Sequence, residues 1–389
     1  MSHTIEWFFW ACIALLAYTY VGFGILAAAW GTIRRRHVQQ QAITPTVSII
    51  VAAYNERSVI AKKLANLMAL DYPEERLEII VASDGSDDGT VEIVREFVND
   101  RVLLLALPRR GKIHALKDAV AQAQSEILIF SDANTFIDPN AICMLVRNFA
   151  DAQVGGVCGN QMYRKNTGDD SSGQGENLYW TYDKWLKAKQ THTGSIVSAD
   201  GAIYAIRHEL FRVPESAAVT DDFAISTAVI EQGRRLVFEP DAIAYEESAG
   251  AAQREFERKV RLMTRGMRGV LLRRGLLNPF RYGFYSIVLF SHKVVRRLAP
   301  VVLITLLSSN LLLIGHSRVY ALAAALELLF YLLAGVGFLV KSHPVGRNKL
   351  LSIPFFYCLA NAAALVALSK VARGERIERW KPQTRRAEA

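Results

Sequence analysis

Three short polar clusters and one basic one stand where apolar runs stop, and their residue types suit a substrate that carries phosphate. Asp132-Ala133-Asn134 follows the apolar run Ile127 to Phe130. Two oxygen-bearing side chains one residue apart can hold Mg2+ or Mn2+ against phosphate oxygens, because both ions prefer hard oxygen ligands. An ordinary turn in which Asp132 or Asn134 caps the next helix is the competing reading. Ser83-Asp84-Gly85-Ser86-Asp87-Asp88-Gly89-Thr90 sets glycines and short polar side chains ahead of a helical pattern, so a nucleotide can approach its backbone closely; a solvated turn capped at Asp88 has the same composition. Arg109-Arg110-Gly111-Lys112 adds positive charge beside a flexible glycine, as a diphosphate requires and as a solvated basic loop also carries. Thr220-Asp221-Asp222 precedes the helical pattern Phe223 to Glu231. One of its carboxylates can act as a general base, or the cluster is an N-cap whose acids suit the helix dipole. A cation site, diphosphate contacts and a base are together what group transfer from a phosphate-bearing donor needs.

Elements that would position these residues follow from hydrophobic periodicity. Val47 to Ala53, Leu77 to Ser83, Val102 to Ala106 and Ile127 to Ser131 are short β-rich runs, each followed by an amphipathic stretch. This alternation predicts an α/β domain with a largely parallel sheet. The runs end in Tyr54-Asn55-Glu56, Asp84-Gly85-Ser86 and Asp132-Ala133-Asn134. Polar residues thus gather at the C-terminal ends of strands, where open parallel sheets bind ligands.

Other stretches are too apolar for a soluble domain. Trp7 to Ile33 is long enough to cross a bilayer and is followed at once by Arg34-Arg35-Arg36, which predicts a spanning helix whose C-terminal end lies inside. Ala27-Ala28-Ala29 mimics a signal-peptide cleavage site, but the positive charge follows the apolar run instead of preceding it. Apolar segments near Ala299 to Gly315, Tyr320 to Val340 and Ile353 to Ser369 would complete a four-span bundle. Pro279 to Lys293 is shorter and aromatic, which suits a helix lying in the membrane interface or, alternatively, a buried soluble helix. The expected plan is a membrane helix over 1–33, a linker over 34–46, a catalytic domain over 47–275, an interfacial helix over 276–297, a bundle of about three helices over 298–372 and a basic tail over 373–389. With the catalytic domain inside, four spans would leave that tail outside, so either one segment fails to cross or the positive-inside rule is broken.

Composition narrows the partners. A chain of 389 residues that is 51% hydrophobic accommodates one sizeable domain plus several spans. Its net charge of +9 gathers beside apolar stretches, where lipid head groups and nucleotide phosphates are the near partners and nucleic acid is not. The four cysteines show no CxxC or Cys/His spacing, so neither a disulfide framework nor a zinc site is indicated. Gln253 to Leu272 divides by helical period: Phe256, Val260, Met263, Met267 and Val270 share one face, and Arg254, Arg258, Arg261, Arg265 and Arg268 the other. Such a stripe faces lipid phosphates or, equally, a donor diphosphate or an acceptor.

Taken in order, these motifs resemble the family 2 glycosyltransferases, in particular the membrane-bound synthases of cellulose, chitin, hyaluronan and poly-N-acetylglucosamine, over about Val47 to Arg268 and the flanking spans. The resemblance implies a GT-A fold, a nucleotide-sugar-binding α/β domain flanked by transmembrane helices. It implies that Tyr54 and Glu56 contact the nucleoside, that Asp84 binds base and ribose, and that Lys112 in Gly-Lys-x-x-Ala-Leu approaches the diphosphate. Asp132 takes the first place of the DxD metal motif and Asn134 the last; Asp222 falls on the catalytic base, beside Asp221, and inversion at the anomeric carbon is implied. Gly194, Ser195 and Gly201 lie where that family lines its acceptor site. Two departures stand out. Asn134 replaces the second aspartate of DxD, and the QxxRW motif of processive synthases appears as Arg258-Lys259-Val260-Arg261-Leu262. The absent tryptophan removes a stacking platform for the acceptor sugar, for which Trp180 or Trp185 is a candidate substitute.

The expectation is an inverting transferase at the cell (inner) membrane with a cytoplasmic catalytic domain, taking a sugar from a nucleotide-sugar, a UDP-sugar by resemblance, with Mg2+ or Mn2+, and adding it to a growing saccharide. A single-sugar transferase acting on a polyprenyl-phosphate or polyprenyl-diphosphate acceptor is the alternative, and a silent membrane scaffold is the alternative of another class. A four-span bundle makes a narrow pore, so an export partner subunit is conceivable. The spans hold too few polar groups to suggest a transporter.

Overall fold

A computed structural model describes residues 2–164, 172–247, 252–341 and 343–377. The tail expected to be basic lies largely outside the described residues, including Arg379, Lys381, Arg385 and Arg386. Two compact units account for the rest. One is a sheet unit formed mainly by Arg35–Arg164 and Gln190–Ser248; the other is a helical unit formed by Met1–Arg34, Lys165–Lys189 and Ala249–Arg376.

The sheet unit holds eight strands: β1 (Val47–Ala53), β2 (Leu77–Asp84), β3 (Val102–Leu107), β4 (Ile127–Phe130), β5 (Thr135–Ile137), β6 (Val154–Arg164), β7 (Tyr204–Arg207) and β8 (Arg235–Glu247). Their order is β3-β2-β1-β4-β7-β6-β8-β5. The first four are parallel neighbours, as their alternation with helices dictates. The second half is mixed: β7 runs antiparallel to β4 and β6, β5 antiparallel to β8, and β6 parallel to β8. The parallel pairing expected from sequence therefore holds throughout β1 to β4 and again between β6 and β8, with antiparallel pairs joining the rest. β1 is buried along its whole length, and helix Ile60–Met68 lays Ile60, Leu64 and Leu67 against Val47, Ile49 and Val51 in the main core. Burying each of these aliphatic side chains is worth about 1.5–3 kcal/mol, which makes this half of the sheet the rigid base of the strand ends.

In the helical unit, Ser2–Ala17, a π-helical turn at Tyr18–Gly22 and Phe23–Ile33 follow without a break. Three helices are long and apolar enough to cross a membrane among the described residues: His3–Ile33, Arg318–Leu339 and Lys349–Ala372. The fourth expected span falls in helix Arg296–Leu313, which opens on Arg296 and Arg297, carries Pro300 inside and is not among the three. That helix is reached directly from Phe284–Leu289 through a π turn at Phe290–Val295, so the segment expected to lie apart in the interface runs straight into it. Phe9 and Cys12 of the first helix pack with Leu306, Leu313 and Tyr320 in a core of their own.

Candidate functional site

The loops after β1 and β2 are knitted together by short polar side chains. Asn55 adopts φ +54° and donates through Nδ2 to Asp87 Oδ1 at 2.8 Å, while its Oδ1 accepts from the Asp87 amide at 3.0 Å. Asn tolerates this left-handed conformation because its side chain bonds locally. Asp88 accepts from the amides of Arg57 and Thr90, each at 3.0 Å, a local turn just ahead of the helix that begins at Thr90.

Asp84 ends β2 and is 2% exposed. Its Oδ1 accepts from the amides of Arg110 (2.7 Å) and Gly111 (2.9 Å), and Arg109 Nη1 stands 3.5 Å from Oδ2. The Arg109 guanidinium lies over the ring of Tyr54. Gly85 has φ +68°, and a Cβ there would come within 2.8 Å of Arg109, so only glycine lets the two loops close on each other. Tyr54, Asp84 and Arg109 thus form one stack. Glu56 joins the same pair of loops through its amide, which donates to Thr90 Oγ1 at 2.9 Å.

Lys112 opens helix Lys112–Gln122 and is the centre of the second cluster. Its Nζ lies 2.7 Å from Asp132 Oδ1 and 2.8 Å from Asp221 Oδ2. Burial by itself would lower the pKa of this ammonium, but the two carboxylates overturn that and hold it above the usual lysine value. Asp222 follows Asp221 at the start of helix Asp221–Glu231, and its Oδ1 accepts from the Phe223 amide at 2.6 Å. Gly201 backs Asp132, since a Cβ there would stand 3.1 Å from Asp132 Oδ2.

Asn134 is engaged from the side: its Nδ2 donates to Glu246 Oε1 at 3.2 Å, which leaves its carbonyl oxygen as the atom to offer a cation. Among the described residues there is no group of three or more His, Cys, Asp and Glu side chains that could hold a metal. Asp132 and Asn134 nevertheless fit Mg2+ or Mn2+ in the manner that suits these ions, with few protein oxygens and the remaining ligands from water and substrate phosphate.

Other expected residues stand elsewhere. Gly194, at φ +138°, accepts through its carbonyl from Arg235 Nε at 2.9 Å, and Ser195 Oγ accepts from the Leu236 amide at 3.1 Å, so both anchor the start of β8. Arg258 and Arg261 belong to helix Ala252–Leu272 of the helical unit, where Arg258 grips Glu255 with Nε at 2.8 Å and Nη2 at 3.0 Å. In the arginine stripe, Arg258, Arg261, Arg265 and Arg268 are all half-buried, and the side chain of Arg254 lies outside the described residues. Trp185 is 41% exposed and lies 5.9 Å, ring to ring, from Tyr182 of its own helix.

Besides Glu246, two residues escaped the sequence reading. Lys63 is fully buried under the Asp132 turn, donating to Ser131 Oγ at 2.7 Å and to the Thr135 carbonyl at 2.5 Å. Its signal was its place on the apolar stripe with Ile60, Leu64 and Leu67. Tyr204 reads as an ordinary strand aromatic, yet it sits in the negative field of Asp221, Asp222 and Asp132.

Comparison with known proteins gives a consistent picture. Residues 48–213 match the family described as Glycosyl transferase family 2. The poly-beta-1,6-N-acetyl-D-glucosamine synthase of Staphylococcus aureus (strain COL) is 28% identical over 206 residues, 51% of this chain and 49% of that protein. Its counterpart from Staphylococcus epidermidis is 27% identical over 220 residues, 55% of this chain and 52% of that protein. The chain spans about half the length of these curated relatives. Among solved structures, the mannosyltransferase PcManGT from Pyrobaculum calidifontis, in complex with GDP-Man and Mn2+, superposes with a TM-score of 0.71 at 21% identity, over 97% of this chain and 100% of that one, which establishes a shared fold.

Proposed function

Residues 48–213 form a family 2 glycosyltransferase domain, and from that premise we propose that the chain is a membrane-bound, inverting transferase that moves a sugar from a nucleotide-sugar, UDP-linked, onto a growing saccharide. The observation that carries this reading is the Lys112 cluster, in which Asp132 and Asp221 share one ammonium while Asp222 stands next in sequence at a helix start. Asp84, Arg109 and Tyr54 would take the nucleoside, with the Asp84 carboxylate as acceptor for base or ribose donors and the Tyr54 ring as a flat apolar wall. Lys112 touches Asp132 of the metal motif and would meet the diphosphate. Asp132 and Asn134 would hold Mg2+ or Mn2+, which when bound neutralises charge on the leaving diphosphate. Asp222 would take the proton of the acceptor hydroxyl, and attack from the face opposite the leaving group inverts the anomeric carbon.

The helical unit, with three helices able to cross a membrane, would hold the enzyme at the cell membrane with its sheet unit on the cytoplasmic side, where Arg34-Arg35-Arg36 follows the first span. A second reading, a single-sugar transferase with a lipid-phosphate-linked acceptor, is favoured by the half-buried arginines of helix Ala252–Leu272 within that same unit. Membranes bearing the protein, incubated with a panel of UDP-sugars and GDP-mannose and with Mg2+ or Mn2+, decide between them by mass spectrometry. A saccharide ladder absent from the Asp222→Asn control supports the polymer reading, one lipid-linked sugar supports the second, and no product with any donor removes both.

A further inference from the structure

The turn that carries Asp132 and Asn134 is held from beneath by one helix. Lys63, on helix Ile60–Met68, is 0% exposed, and its Nζ donates to Ser131 Oγ at 2.7 Å and to the Thr135 carbonyl at 2.5 Å. Those two acceptors bracket Asp132-Ala133-Asn134 on either side. Ser131 Oγ passes the restraint on, donating in turn to the Ala202 carbonyl at 2.9 Å, beside the Gly201 that backs Asp132. Asn66, three residues along and on the same helix face, donates to the Ile137 carbonyl and accepts from the Ile137 amide, each at 2.8 Å. Thr135 and Ile137 are the two ends of β5, a three-residue strand at the edge of the sheet whose ladder partner is β8. A strand of that length is at the lower limit for such elements. Side chains of the helix thus stand where a second neighbouring strand would, and the place of Asn134, the residue before β5, depends on them.

Burying an ammonium is costly. A methionine would fill the same place in the apolar stripe without that cost, so packing alone does not account for a lysine here. Two hydrogen bonds aimed at the two ends of one short turn do. On the transferase reading, Asp132 and Asn134 supply the protein oxygens for the cation, and this inference rests on that reading. We propose that Lys63 is a positioning residue that fixes the spacing of Asp132 and Asn134 for a divalent cation by tying Ser131 to Thr135 beneath them. Partners of this kind orient metal ligands without touching the metal. A bound cation repels an ammonium, but the tie outlasts loss of a proton, because a neutral amine keeps two hydrogens, one for each acceptor.

The test compares wild type, Lys63→Met and Leu67→Ala, each as the full-length protein in detergent. Leu67→Ala loosens the same helix and removes neither bond. Mn2+ is titrated in the presence of UDP or GDP without any sugar, and the electron paramagnetic signal of the free ion gives the dissociation constant. Lys63→Met raises that constant about tenfold, the usual scale for losing a partner of metal ligands, and Leu67→Ala holds it within about twofold. In turnover, Lys63→Met raises the Mn2+ concentration for half-maximal rate by the same factor, while kcat at saturating metal stays within about threefold. An unaltered constant in Lys63→Met, or equal rises in both variants, overturns the proposal. If Lys63→Met does not fold, Ser131→Ala, which cuts one of the two ties, is read under the same criterion. A wild-type protein that binds no Mn2+ with either nucleotide removes the metal reading itself, and hydrogen exchange of the amides of 131–135 then decides the tie. Faster exchange there in Lys63→Met than in Leu67→Ala supports it, and equal exchange overturns it.

Discussion

The ammonium of Lys112 stands 2.8 Å from Oδ2 of Asp221, and this contact separates two neighbouring carboxylates that the sequence presents as equals. Asp221 is bound to a cation, and the Oδ1 of Asp222 is turned to the amide of Phe223. A carboxylate neutralised by a lysine is a poor proton acceptor, in keeping with the proposal that Asp222 is the base. Asp222→Asn should therefore lower kcat by roughly 10²–10⁴-fold with nucleotide binding retained, while Asp221→Asn lowers kcat less and instead lowers the unfolding midpoint. Steady-state kinetics beside nucleotide titration of both variants checks the contrast, and equal losses of kcat would sink the assignment.

Asp84 ties the end of β2 to the loop after β3. Its carboxylate receives two backbone amides and faces Arg109, so Asp84→Asn sets an amide group against donors that need an acceptor. The expected cost is about 2 kcal/mol, seen as a midpoint several degrees lower, together with weaker nucleotide binding. Thermal unfolding with and without nucleotide measures both effects.

Asn134 stands beside the carboxylate of Glu246. Asn134→Asp turns a hydrogen bond into like-charge repulsion, which should lower stability in chelator, and it adds a charged ligand, which should reduce the Mn2+ concentration needed for half-maximal activity. A metal titration monitored by both unfolding and turnover reads the two opposing outcomes. An unchanged metal requirement would give Asn134 a structural role only.

Lys63 gives the sheet unit a pH signature. Burial pulls its pKa down to about 7 in the folded protein from 10.5 in the unfolded chain, although Asp132 pulls it upward. Between those values the unfolded chain binds more protons than the folded one, so stability should rise as pH climbs from about 7 toward 10.5. Lys63→Met removes the titrating group and should flatten that rise. Unfolding midpoints at pH 7 and pH 9 for the two proteins supply the check, and parallel slopes would contradict it.

If the three helices that are long and apolar enough to cross, among the described residues, are the spans, the bookkeeping of sides changes. If the first span ends inside, the next two carry the chain out and back, and the tail returns to the side of the catalytic domain, which removes the conflict with its basic residues. In a background lacking the four native cysteines, Val345→Cys should react with an impermeant thiol reagent applied from outside intact cells and Arg373→Cys should not. The reverse pattern, or labelling of both, would restore a different count.

Much of this architecture was legible because its early part is local. β1 spans the same residues as the run Val47 to Ala53, and β2 to β4 depart from their predicted runs by a residue at most, since each is a short apolar run bounded by turn residues. The mixed half was hidden because the pairing of β7 with β4, or of β5 with β8, joins residues about 70 to 110 positions apart, and no local pattern reports such distances. Asp84, Lys112, Asp132 and the Asp221-Asp222 pair announced themselves through charge at strand and helix ends. Lys63 did not, because a lysine on a helix reads as solvent-facing unless its place in the apolar stripe is given more weight than its charge. Glu246 was invisible for a different reason: its meaning comes only from Asn134 lying across the ladder.

The core shared by Phe9, Leu306 and Tyr320 has a consequence for how the molecule is made. The first helix leaves the ribosome about 300 residues ahead of its packing partners, an interval of roughly 15–60 s at ordinary rates of synthesis. Through that time Phe9 and Cys12 have only lipid to cover them, while the sheet unit emerges and can complete its core. Biogenesis of this protein should accordingly be most vulnerable between the first and last helices, when a finished enzyme hangs from a single unassembled anchor.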